Sequence, residues 1–299
     1  MSNVEVKMCF RRFYVVLALA LATFLVPVSN ALAQNRCEAL FKSPLFSPKF
    51  DRLYDYYVHE TGGLNESQVQ ALNKKMIQDL RDYWPLSNDK RAQSMSSRDA
   101  QNLLNAARGH AVVGFQGDQR YQRPDSDTGF CFGRATYIHL TALKMGLQKE
   151  SVLKIWAVGP MKSSLNSEIT WGYHVAALVY TKEGGWLVID PNTYMPQSFE
   201  HWMGQMSQQS TDQRLRFYVT EAEKFSLYAG KYPRFLMGLD HAHEQDFFKG
   251  YFVDMMDAVR KESLPSLGLH FVTAAEGKIS VRPQSTSIIS KIKDFLDLL

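Results

Sequence analysis

Two apolar runs on either side of a turn-prone stretch, between residues 171 and 190, restrict the fold of this chain more tightly than any other segment. In Trp171 to Tyr180, side chains alternate as in a strand, so His174, Ala176, Leu178 and Tyr180 lie on one face. Trp186 to Asp190 reads as a second strand, and Thr181 to Gly185 supplies the turn. The pair is therefore expected to form an antiparallel hairpin. With a loop of three or five residues, His174 and Asp190 fall on the same face. The shorter loop sets them opposite each other and the longer one offsets them by a cross-strand diagonal, whereas an even-length loop would separate them. A carboxylate placed this way can hold an imidazole in one orientation.

A third residue fits the same chemistry. Asp125 to Gly129 offers helix N-caps, and Ala135, Ile138, Ala142 and Met145 then form a stripe at helical spacing that Gly146 closes. Cys131 sits on that stripe in the first turn, where the positive end of the helix favours thiolate over thiol. Cys131, His174 and Asp190 are thus candidates for a thiol nucleophile, its base and the group that orients the base, which makes acyl transfer the leading chemistry. A strand from Val152 to Val158 is expected to join the sheet that carries His174.

These residues resemble a known family. The order Cys131, His174, Asp190, with the histidine in the aromatic-rich run Trp171 to Ala176 and the aspartate in Val188 to Pro191, resembles the papain-like transglutaminase superfamily. The segment from Pro196 to Trp202 adds a match to its bacterial protein-glutamine deamidases, or protein glutaminases. The resemblance spans roughly residues 115 to 205. It implies an α+β fold with a papain-like or transglutaminase-like core, a helix-borne cysteine packed on an antiparallel sheet, and helical flanks on both sides. It further implies a protein or peptide substrate bearing glutamine, and neither metal nor organic cofactor. Cys131 would attack the glutamine amide, His174 would act as base and then acid, and Asp190 would hold the ring. A transglutaminase or cysteine peptidase would use the same three groups. Arylamine N-acetyltransferases share the residue order, but their acyl-coenzyme donor sits poorly with export. A non-catalytic envelope binding protein is the rival from a different class.

Export is expected from the N-terminus. Arg11 and Arg12 precede an apolar run from Phe13 to Val26, and Ala31 to Ala33 has the small-residue pattern of a signal-peptidase site, so residues 1–33 read as a leader and the protein as periplasmic or secreted. Pro27 interrupts the run, and no stable membrane span is expected after cleavage. Of three cysteines in 299 residues, only Cys37 and Cys131 follow the leader. The formal charge of +4 comes from 34 basic and 30 acidic residues with no concentrated basic stripe, which argues against a nucleic-acid partner.

The chain reads in three further parts: a helical N-terminal region over 34–114, a core over 115–205, and a mainly helical region over 206–299 ending in the amphipathic run Ile288 to Leu299. The N-terminal region could serve as a pro-segment, with the polar stretch Ser87 to Ser97 as a protease-sensitive joint. Trp171 and Tyr173 are candidates to bind substrate, with Tyr194 and Trp202 further aromatics near the site. The backbone N–H of Cys131 is a natural oxyanion donor, and Gln116, Gln119 or Gln122 could add a side-chain one. His241, His243, Glu244 and Asp246 concentrate metal-ligand types without a recognised zinc spacing, so no metal site is expected there.

Overall fold

The computed structural model describes residues 52–272 apart from 84, 88–89, 92, 122–128, 164–168 and 228–249. The leader, Cys37, Gln122, the cluster from His241 to Asp246 and the run Ile288 to Leu299 lie outside the described residues.

The fold is a mixed one, helices packed around an antiparallel sheet. Its two longest strands are β3 (Val152–Lys162) and β4 (Thr170–Tyr180). β4 pairs with β5 (Trp186–Ile189) across the turn Thr181 to Gly185, and the register sets Ala177 against Ile189 and Tyr180 against Trp186. This is the five-residue loop of the two odd lengths, so Asp190 falls one diagonal from His174 on the same face. Gly184 takes φ 89° in the turn, a left-handed value that L side chains adopt at a cost. β6 (Gln197–Ser198) extends the sheet beyond β5, and β7 (Arg216–Glu221) completes the order β6-β5-β4-β3-β7. The last strand comes from beyond residue 205, so the sheet outruns the segment from which the site was read.

Helices flank the sheet. α1 (Leu53–Thr61), α2 (Glu66–Arg81) and α3 (Ser97–Gly109) precede the site, with the short hairpin β1 (Leu86–Ser87) and β2 (Lys90–Arg91) between α2 and α3. α4 (Cys131–Lys144) packs mainly on β4, α5 (Phe199–Gln208) follows β6, and α6 (Tyr251–Lys261) packs on α4. Both faces of the sheet are covered. On one, the Lys154 ammonium donates to Thr136 Oγ1 of α4 at 3.2 Å; on the other, the Phe217 ring meets Trp202 of α5 at 6.2 Å. This explains why His174 through Tyr180 are all buried rather than alternately exposed.

The outer edge of β7 would otherwise present unpaired backbone groups. Asn73 of α2 closes part of it, accepting from Phe217 N at 2.9 Å and donating to Leu215 O at 2.8 Å. Glu60 of α1 accepts from Arg216 Nε at 2.9 Å, Tyr218 Oη at 2.8 Å and Tyr56 Oη at 3.1 Å. α1 and α2 are thus pinned to the sheet by buried polar contacts as well as by apolar packing.

α4 departs from the expected one-sided stripe. Every residue from Cys131 to Ala142 is buried, including Arg134, Thr136, His139 and Thr141. The helix lies inside the body, with α3, α6, β3 and β4 around it, so Arg134 and Thr136 take internal partners instead of water. Thr136 Oγ1 donates back to Phe132 O at 2.7 Å, and Arg134 is paired with Asp118.

Candidate active site

Cys131 opens α4, and the cap differs from the expected Asp125 to Gly129 stretch. The N-cap residue is Phe130, whose side chain makes no capping bond and instead stacks on Tyr251 with ring centroids 4.4 Å apart. A helix end without a side-chain cap leaves its first-turn N–H groups for another partner, and its dipole favours a thiolate at the first position. Gly133, two residues on, admits Tyr251 against the helix. A Cβ there would lie 2.4 Å from the tyrosine ring and 2.6 Å from its hydroxyl.

The three residues singled out in the sequence come together. β5 pairs with β4 only from Ala177 onward, and at the stretch of β4 that it does not reach, the Cys131 thiol meets His174 and the backbone N–H of Val175. His174 Nε2 donates to Asp190 Oδ2 at 2.8 Å. With Nε2 committed to the carboxylate, Nδ1 is the ring nitrogen left for the thiol. All three side chains are sheltered, Cys131 at 9% exposure, His174 at 6% and Asp190 at 1%.

The electrostatics follow from this contact. Burial alone would push the thiol up, but the hydrogen bond and charge of His174, the Arg134 guanidinium and the Val175 N–H together bring Cys131 below its ordinary value. Burial alone would lower His174, yet Asp190 and then Cys131 raise it to about 10. For Asp190, burial opposes charge, while His174, the Trp202 indole and the Asn192 backbone N–H hold the carboxylate below its usual range. The three shifts agree on one state, a thiolate facing an imidazolium that a carboxylate supports.

Several contributors escaped the sequence reading. Trp202, grouped there with groove aromatics, is fully buried and donates Nε1 to Asp190 Oδ2 at 2.8 Å. Ser198 caps α5, and Trp202, Met203 and Met206 follow at helical spacing, a signal that this tryptophan faces inward. Asn192 gives its backbone N–H to Asp190 Oδ1 at 3.0 Å. Arg134, buried behind Cys131, pairs with Asp118 and lies 4.7 Å from the Phe115 ring.

The other candidates are more dispersed. Trp171 and Tyr173 are half-buried, and strand alternation turns them to the face opposite His174. The Trp171 indole N–H is buried with no partner among the described residues. Tyr173 packs against Trp156 at 6.1 Å. Tyr194 is 83% exposed and Met195 61%, on a loop that Arg108 ties down by donating to the carbonyls of Pro191 and Thr193. Gln116 and Gln119 are exposed. Among the described residues no group of His, Cys, Asp or Glu is arranged to hold a metal ion, and no helix is long and apolar enough to cross a membrane.

Residues 98–206 match a family model described as Glutaminase, and that span holds Cys131, His174 and Asp190. The match is confined to that segment, about a third of the chain. Solved structures similar to this chain include the NMR structure of protein-glutaminase from Chryseobacterium proteolyticum, at 17% identity over 44% of this chain and 74% of that one, with a TM-score of 0.34. The crystal structure of the A47Q2 mutant of pro-protein-glutaminase is 15% identical over 60% of this chain and 65% of that one, with a TM-score of 0.37. A crystal structure of protein-glutaminase is 14% identical, with 61% of this chain and all of that one covered and a TM-score of 0.35. No curated protein matches.

Proposed function

We propose that this protein is an exported cysteine amidohydrolase with a papain-like core that deamidates glutamine side chains in proteins or peptides. The observation that carries the reading is the chain of contacts Cys131, His174, Asp190 inside the glutaminase segment, with thiol lowered and imidazole raised. In the proposed reaction the Cys131 thiolate attacks the side-chain carbonyl carbon of glutamine, forming a carbon–sulfur bond. The oxygen takes up negative charge, which the Cys131 backbone N–H at the start of α4 is suited to receive. As the carbon–nitrogen bond breaks, His174 Nδ1–H supplies the proton that lets nitrogen leave as ammonia. Neutral His174 then takes a proton from water, hydroxide attacks the thioester, and glutamate departs with return of the thiolate–imidazolium pair. Asp190 remains a carboxylate throughout.

The test is a peptide labelled at its glutamine. Ammonia release with a one-dalton gain supports deamidation, whereas a crosslink to an added amine assigns transglutaminase chemistry and a cut backbone a peptidase. Binding without turnover assigns the envelope-binding alternative. Export rests on the leader at 1–33, and N-terminal sequencing of the protein recovered from periplasm or medium checks it.

A further inference from the structure

We infer that Trp202 is a positioning residue for the His174–Asp190 pair, its indole N–H fixing the carboxylate while its ring fixes the imidazole. The inference rests on reading those two residues as the base and its orienter, and does not depend on glutamine as the substrate. Three observations converge on this tryptophan. It is 0% exposed. Its Nε1 donates at 2.8 Å to Asp190 Oδ2, the same oxygen that accepts from His174 Nε2 at 2.8 Å. Its ring stacks on His174 with centroids 5.9 Å apart and an interplanar angle of 28°, while Phe217 backs it at 6.2 Å.

The chemistry of an indole makes this contact directional. Trp Nε1–H is a donor only and does not titrate, so unlike a hydroxyl or a water it cannot reverse roles. Facing Oδ2, it leaves no room for a proton on that oxygen. Asp190 must therefore accept from His174, which puts the imidazole's Nε2–H towards the carboxylate and its basic Nδ1 towards Cys131. The stacked ring opposes rotation of His174 out of this orientation. The charged and titratable groups facing the assembly are Cys131 and Arg134 from α4, with Lys154 of β3 and Tyr251 of α6 acting on the thiol, and the Asn192 backbone N–H is the remaining donor to the Asp190 carboxylate.

Trp202→Phe keeps an aromatic ring and removes the N–H. A hydrogen bond to a charged group is worth about one pKa unit or somewhat more. The acid edge of the ultraviolet thiolate absorbance should therefore move up by about one unit in the full chain, because Asp190 protonates sooner and releases the imidazolium. Turnover should fall about tenfold in kcat with KM unchanged. A variant that melts earlier but titrates like the unaltered protein would overturn the inference and leave Trp202 a packing residue. If the variant does not fold, the indole proton resonance of Trp202 in the unaltered chain decides: it should move as pH crosses the thiolate edge, and indifference to that edge overturns the inference. A shifted thiolate edge in a protein that releases no ammonia from any glutamine peptide upholds the role of Trp202 and rejects the deamidase reading.

Discussion

Asp190→Asn removes one charge from the centre of the site while keeping the shape of the side chain. The carboxylate now accepts at both oxygens: His174 and Trp202 at Oδ2, each at 2.8 Å, and the Asn192 N–H at Oδ1, 3.0 Å away. An amide has a single acceptor atom. With its oxygen in the Oδ2 position, its NH2 faces the Asn192 N–H; turned the other way, it confronts both ring donors and forces His174 into the wrong tautomer. In either arrangement the charge that leads in raising His174 to about 10 is gone, and burial then drives the imidazole down. One charge-assisted bond and its charge are worth about 3 to 5 kcal/mol in a buried pair. That corresponds to a loss of roughly 10² to 10⁴ in kcat/KM. The sign of the pH effect is also set: the imidazolium form, present below about 10 in the unaltered protein, should be lost at lower pH, so the alkaline limb of activity shifts downward. Ammonia release from a glutamine peptide across pH, beside the ultraviolet thiolate absorbance, measures both. A variant with half or more of the original kcat/KM and an unmoved alkaline limb would refute the assignment of Asp190.

Cys131→Ala and His174→Ala should each abolish ammonia release with circular dichroism preserved. The double variant should be no worse than either single one, because the residues act as a unit; measurable turnover in either would exclude the pair. Glu60→Ala should lower stability by about 3 kcal/mol, read as a smaller urea midpoint, since Arg216 would be left with its charge buried among Tyr218 and Asn73. An unchanged midpoint would mean that α1 is not anchored through this contact. Tyr251→Phe should raise stability by about 1 kcal/mol, since its hydroxyl is buried without a partner among the described residues; a loss of stability in the same assay would show that the hydroxyl is satisfied. Gly133→Ala should destabilise by about 1 to 2 kcal/mol despite the better helix former, because the buried Tyr251 ring cannot yield to a new Cβ. A higher melting temperature would contradict the close approach.

Local chemistry made the hairpin, the helix start at Cys131 and the three candidate site residues legible in the sequence. A strand's period of two assigns His174 and Asp190 to a common face once the loop length is odd, and that is arithmetic on neighbouring residues. α1, α2 and α3 lie within the 34–114 stretch read as helical. Tertiary structure decided what depends on elements distant in the chain. Only packing could show that β7, from beyond residue 205, completes the sheet, or that α4 is enclosed on every side with Arg134 and Thr136 inside. The meeting of Cys131 with His174 depends on where β5 stops along β4, and the grip of Trp202 on Asp190 depends on how α5 docks over it. Side-chain periodicity records which way a residue faces within its own element. Which partner it then meets is a long-range outcome of how the elements close around one core.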